Sequence, residues 1–267
     1  GGWEGRRGSK PGRVGGGGRP LRASIAAERA VDAAQRTRAG IDGGQEGVSE
    51  AFGAGRSGGQ ARPEKLLENW GSPWRISTPG LEFKPFPTCA GTHSAAEAAR
   101  SLRQQWLAAG KPLDALLSQI VDITVAFPPG GDIAASIRVP VNGTEARFSL
   151  EYVIAAMLIY GDLRLQDFAE GDLNHQVMPL TARVRRTPDQ SAPPDALNPA
   201  LRFHVVTLTL ADGTALHQRR TRQQSLAEGV NVSSKLHQAL GDASPELLAA
   251  TALHSTAELQ MLTGALT

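Results

Sequence analysis

Apolar residues recur along this chain at more than one interval, and each interval predicts a different element. From Ser94 to Gly110, Ala95, Ala99, Leu102 and Trp106 fall three or four apart, the spacing of a helix that buries one face. Ser94 and Glu97 have the spacing of a capping box at its start, and Gly110 supplies a stop. From Ser118 to Phe127 the interval drops to two. Val121, Ile123, Val125 and Phe127 point one way, Asp122 and Thr124 the other, which predicts a strand. Glu145 to Tyr160 is mostly apolar, with Phe148, Tyr152, Ala155, Ala156 and Ile159 on one stripe, and predicts a core helix too short to cross a membrane. Leu201 to Leu210 alternates, Ala211-Asp-Gly213 turns, and Thr214 to Arg220 returns: a β-hairpin.

Weaker signals fill the intervals. A thin apolar face (Ile25, Ala26, Ala30, Val31, Ala34) allows a helix over Ser24–Arg38, and Leu66, Leu67 and Trp70 share a helical face closed by Gly71. Trp74-Arg-Ile-Ser-Thr reads as extended, Pro79-Gly80 as a turn, and Phe83-Lys-Pro-Phe-Pro87 as non-helical, because each proline pushes its predecessor toward extended geometry. Ile137–Val141 suggests a short strand, Leu165–Phe168 and Asp172–Val184 two short helices, and Pro188–Pro199 a loop. From Ser225 onward the pattern is helical, interrupted at Gly241 and Pro245. Strand, helix and hairpin in this order predict an α+β domain over roughly residues 74–222 with helical flanks.

Composition changes this picture mainly at the N-terminus. Residues 1–60 hold 17 of the 30 glycines and ten Lys/Arg against six Asp/Glu, although the whole chain is near neutral at +2. Such a segment cannot bury enough apolar surface to offset its backbone entropy. Residues 1–63 are therefore expected to be disordered or a remnant segment, outside any packed core. An Arg/Gly arm for nucleic acid is the competing reading. Aromatics hardly interleave with the arginines, as stacking on bases requires, so nucleic acid is not expected as a partner.

A single cysteine, Cys89, excludes an intrachain disulfide framework and a cysteine-ligated iron–sulfur cluster within one chain. No apolar run reaches the length of a membrane span and no secretory h-region is visible, so a soluble, cytoplasmic protein is expected. The sequons at Asn142 and Asn231 are then chance matches. The histidines at 175, 204, 217, 237 and 254 have no metal-ligand spacing, although His204 and His217 can sit opposite each other on the hairpin.

Three stretches, in order, carry a resemblance to a known family. Trp74-Arg-Ile-Ser-Thr-Pro-Gly-Leu-Glu-Phe-Lys84-Pro-Phe-Pro-Thr-Cys-Ala-Gly-Thr-His93 resembles the W-x-I…K-P-Y-P-x-C-x-x-x-H segment of the MmgE/PrpD family. Glu145-Ala-Arg-Phe-Ser-Leu-Glu-Tyr-Val-Ile-Ala-Ala-Met-Leu-Ile-Tyr-Gly161 is similar to its A-x-F-S-L-x-Y-x-x-A-x-x-L-x-x-G helix, and Leu165-Gln-Asp-Phe…Met178-Pro-Leu…Arg183-Val to the stretch that follows. The family includes 2-methylcitrate dehydratases and cis-aconitate decarboxylases. The resemblance implies a homodimer of two-domain chains, each with a helical domain and an α+β lid. Residues 64–222 correspond to the lid, and residues 223–267 to C-terminal helices that return to the helical domain. Most of the helical half has no counterpart here, so a truncated form, or a non-catalytic remnant or mis-started fragment, stands beside the active-enzyme reading.

By the same resemblance the activity is a hydro-lyase acting on a small polycarboxylate without metal or cofactor. Lys84 matches the family's active-site lysine and is the first candidate for holding a carboxylate. His93 matches a family histidine and is either an acid/base group or a packing residue beside the helix start. Arg147 is a candidate for a second carboxylate, or else a lid-interface arginine. Proline stiffening at Pro85 and Pro87, free N–H groups at the helix start and a lysine together favour an anion. Cys89 has no evident His–Asn/Asp partner and reads as an idle thiol. The decarboxylase branch places an active-site tyrosine in a region where this chain has none between Phe127 and Tyr152, which favours dehydration.

Overall fold

A computed structural model describes residues 18–41, 82–235 and 254–265, with isolated positions at 68, 71–74, 77, 80 and 249. The helix expected over residues 66–70 lies outside the described residues. Where Trp74 was expected to begin an extended piece, Ser77 N–H returns to Trp74 O (2.9 Å), a tight turn. Helix α1 spans Gly18–Arg38, longer than expected; on its apolar face Ile25 is partly exposed and Val31 59% exposed.

The domain is built from α2 (His93–Ala108), α3 (Leu113–Gln119), β1 (Ile120–Ala126), α4 (Gly143–Ala146), α5 (Leu150–Tyr160), α6 (Met178–Thr181), β2 (Val184–Arg186), β3 (Phe203–Leu210), β4 (Ala215–Thr221) and α7 (Arg222–Glu228). Helix α8 (Thr256–Ala265) follows later in the chain. The sheet order is β2-β1-β3-β4, with β2 parallel to β1 and the other pairs antiparallel. A parallel neighbour needs a long crossover, and the stretch carrying α4, α5 and α6 supplies it. The fold is therefore α+β, as the pattern predicted.

Helices α2 and α5 pack against each other and on the sheet. Both carry buried small residues: Ala95, Ala96, Ala98 and Ala99 on α2 and Ala155 and Ala156 on α5 are all fully buried. With few aromatics to fill space, close approach of helix backbones keeps the core dense. Arg103 Nε of α2 donates to Leu158 O near the C-terminal end of α5 (3.1 Å), where a cation suits the helix dipole. Of the described residues, no helix is long and apolar enough to cross a membrane.

Several expected elements change in detail. Helix α2 starts at His93, and the proposed Ser94–Glu97 capping box is absent; its N-cap is Thr92, without a side-chain bond. The single helix expected over 145–160 is two. Ser149 takes an extended conformation and its Oγ accepts from Tyr152 N (3.1 Å), so the serine that looked like a helix interior is the N-cap of α5. Ile137–Val141 is not a strand: Val139 and Val141 are exposed, and only a Ser136–Ser149 bridge forms. Asp172–Val184 is helical only at α6, and Val184 instead opens β2. In β1 the pairing slips between Ile120 and Asp122. That bulge turns Ile120 inward and leaves Val121, expected in the core, 52% exposed. On the hairpin His204 pairs with Arg220 and His217 with Thr207, so the two histidines are not opposite. Both sequon asparagines have local roles: Asn142 Oδ1 accepts from Glu145 N at the start of α4, and Asn231 Oδ1 from Ser234 N.

Candidate active site

The loop ahead of α2, the N-terminus of α2, and α7 surround a cavity of about 420 Å³. Its lining includes Glu82, Phe83, Pro85, His93, Arg222 and Ser225. The 83–87 segment is non-helical, as its prolines require, and drives Phe86 into the core at 1% exposure. That anchor fixes Lys84 on one side and Thr88 on the other.

Lys84 and His93 converge on one atom. Lys84 Nζ donates to Thr88 O at 3.3 Å, and His93 Nε2 lies 3.3 Å from the same carbonyl. A carbonyl only accepts, so Nε2 carries the proton and the neutral ring has its lone pair on Nδ1. His93 is 7% exposed and packs edge-on to Phe86, ring centres 5.8 Å apart. Burial pushes its pKa down to about 4, and the nearby Lys84 ammonium adds to the effect against the Thr88 hydrogen bond. The ring is uncharged at neutral pH. Lys84 itself is exposed and meets a carbonyl, with no carboxylate partner among the described residues.

The helix start is less open to anions than the sequence implied. A 3₁₀ turn at Ala90–Thr92 precedes α2, and it ties Thr92 N to Cys89 O and His93 N to Ala90 O. Side chains, rather than helix N–H groups, therefore carry the site's polarity. Cys89 Sγ lies 3.4 Å from Ala134 O. Arg147 stands apart from Lys84 and His93. Its carbonyl accepts from Cys89 N (2.8 Å), but its guanidinium turns away and donates from Nη2 to Phe168 O (2.8 Å). Arg147 Nε is buried without a partner among the described residues.

Three groups of residues at this end of the fold were not singled out from the sequence. Arg220 binds Glu97 of α2 (2.9 Å) and Glu228, and Ser225 Oγ also donates to Glu97, so α7 is clamped against α2 as the cavity wall. Arg222, the residue after β4 in the same basic run, pairs with Glu82 (2.7 Å) across the cavity. The Arg-rich Arg219-Arg-Thr-Arg222 run at the end of the hairpin was the available signal. Deeper, the Arg186 side chain is 2% exposed and forks onto Glu151 with Nε and Nη2 (both 2.7 Å), while Nη1 reaches Asp132 (2.9 Å). Burial opposes that charge, but the bonds to Glu151 and Asp132 outweigh it and hold the guanidinium protonated. Next to this network His204 is 1% exposed with neither ring nitrogen partnered among the described residues, and burial pushes its pKa down to about 3.

A second cavity of about 600 Å³ lies at the other end of α2, between α3 and the hairpin turn. Its wall is Trp106, with Lys111 stacked 4.4 Å over the ring.

This α+β domain, with its site at the start of a buried alanine-rich helix, is of the type expected from the family motifs. Residues 86–225 match the model of the MmgE/PrpD C-terminal domain, more than half of the chain, and the chain belongs to that family. It is 29% identical over 206 residues to the cis-aconitate decarboxylase of Homo sapiens, and 25% identical over 210 residues to that of Mus musculus. Each match takes in 75% of this chain and 40% of the relative, so the chain spans well under half the length of the proteins it matches. The family match includes His93, Arg147 and Arg222, and begins just after Lys84.

Proposed function

We propose that this chain forms the lid-type part of a metal-free carbon–oxygen lyase that removes water from a small hydroxylated polycarboxylate of the 2-methylcitrate type. The observation that carries this reading is the convergence of Lys84 and His93 on one carbonyl, with His93 lining a cavity that also holds Arg222. Dehydration needs cations for the carboxylates, a base for the C–H proton and an acid for the departing hydroxyl. Lys84 offers a point charge and Arg222 a planar set of donors. His93 offers a lone pair on Nδ1. An arriving carboxylate raises the ring's affinity for a proton, so the histidine becomes a proton acceptor when substrate is present. Arg147 enters the proposal as a lid-architecture residue, because its guanidinium holds Phe168 O. A homodimer in the cytoplasm goes with this reading and rests on the family likeness alone.

The relatives' name, cis-aconitate decarboxylase, describes a related polyacid that loses carbon dioxide instead of water. The missing tyrosine between Phe127 and Tyr152 supports dehydration over that alternative. A second reading is a lid that binds polycarboxylate without turning it over, since Lys84 and Arg222 offer cations for carboxylates whether or not a reaction follows. The test is the purified chain with 2-methylcitrate, followed by ultraviolet absorbance of the new conjugated double bond, and with cis-aconitate, followed by carbon dioxide release. The proposal expects absorbance to grow with 2-methylcitrate and to slow by about 10²-fold or more in Lys84→Met. Carbon dioxide alone would assign the decarboxylase chemistry. Saturable binding without either product would establish the second reading, and no binding of either acid would refute both.

A further inference from the structure

Among the described residues, arginine–carboxylate pairs are either two-nitrogen forks or single-nitrogen contacts, the latter including Arg36 with Asp32 and Arg220 with Glu97. Arg185 grips Asp122 with Nε and Nη2 at 2.7 Å each, Arg186 grips Glu151 with the same two atoms, and Arg202 uses both on Asp195. These are two-nitrogen forks, the strong geometry for guanidinium and carboxylate. Arg222 differs. A single nitrogen, Nη2, touches both Glu82 oxygens, at 2.7 and 3.0 Å, so the planar edge of the guanidinium is not matched to its partner. The pair is also wet, with side chains 34% and 53% exposed, where such contacts contribute little.

Its position gives that weakness a use. Both residues line the cavity beside His93, and Glu82 is the only carboxylate among the described residues that do so. Arg222 is anchored from behind. Its N–H donates to Arg202 O (2.8 Å), and Thr221 and Gln224 close a capping box around it. Glu82 instead sits in the irregular loop before α2. The tie is to the Arg222 backbone, and the partner of its guanidinium among the described residues is Glu82.

We infer that Glu82 is a built-in competitor, and that a substrate carboxylate displaces it to take the two-nitrogen edge of Arg222. This deepens the polycarboxylate reading of the same cavity and rests on it. It makes Arg222 a substrate-binding residue and Glu82 a determinant of affinity: the site exchanges one carboxylate for another and rejects ligands that lack one. An uncharged analogue cannot replace the Glu82 carboxylate, so selectivity for anions is part of the arrangement.

The test is calorimetric titration of the full chain with citrate at constant ionic strength, with thermal melts confirming that each variant is folded. Glu82→Gln should bind citrate about tenfold more tightly than the parent, and Arg222→Gln about tenfold more weakly. The double variant should bind as weakly as Arg222→Gln. Arg222→Lys, which keeps charge without the fork, should fall between the parent and Arg222→Gln. If the parent binds citrate and Glu82→Gln binds equally or less well, the competitor role is overturned while the polycarboxylate reading stands. If neither the parent nor Glu82→Gln binds citrate, both are overturned.

Discussion

Two histidines, His93 and His204, are buried and neutral, and both make the protein acid-sensitive. Burial lowers their pKa from 6.5 to about 4 and about 3, respectively. Below pH 6.5 the unfolded chain takes up protons on these rings while the folded chain does not, so their linked stability is full above that pH. It declines as pH falls toward 4 for His93 and toward 3 for His204. His204 faces Arg202 and Arg186 as well as Asp195 and Asp132, and all four of these are already paired. Replacing it by leucine removes a buried polar ring with no partner. His204→Leu is expected to match or exceed the parent at pH 7 and to lose part of the drop in melting temperature between pH 7 and pH 4; an unchanged pH slope would contradict this. The Arg186 network behaves oppositely. Arg186→Ala leaves Glu151, at 5% exposure, as an uncompensated buried charge and should cost roughly 3–5 kcal/mol in denaturant unfolding. The motifs brought Lys84 and His93 forward from sequence alone, because proline and helix signals surround them. Arg186, His204 and Arg222 were not legible, since their partners lie 35 to 140 positions away along the chain or, for His204, are missing among the described residues.

At the scale of elements, what the sequence revealed depends on period. The hairpin and α2 were readable because alternation and helical spacing run for several repeats. Strand β2, at three residues, has no period to read, and exists because the crossover delivers Val184 beside Ile123. The break between α4 and α5 lay in an unbroken apolar run, where only Ser149 marks it. Ser149→Ala removes the acceptor for Tyr152 N and a donor to Glu151, and should destabilise the fold by about 1 kcal/mol or more, read by thermal melt. Gly143 is a stricter position. A Cβ there would stand 2.7 Å from the backbone carbon of Phe168, where no side-chain rotation relieves the clash. Gly143→Ala should cost about 1–3 kcal/mol and separate α4 from the 165–168 turn; a neutral result would mean that the two backbones are less closely packed than this.

For the whole molecule, the loop before α2, the start of α2 and the α7 wall meet at one end of the helix-covered sheet, while the Trp106 cavity lies at the other end of α2. The proposed polycarboxylate site is the first of these, centred on a neutral His93 with Lys84 and Arg222 nearby. The most direct measurement is the NMR titration of the His93 ring with and without cis-aconitate. The ring signals should shift saturably and the His93 pKa should rise from about 4 by a unit or more, because an anion beside the ring favours its protonated form. An unmoved His93 pKa at anion concentrations that perturb residues around Trp106 would put binding at the opposite end of the domain and contradict the assignment.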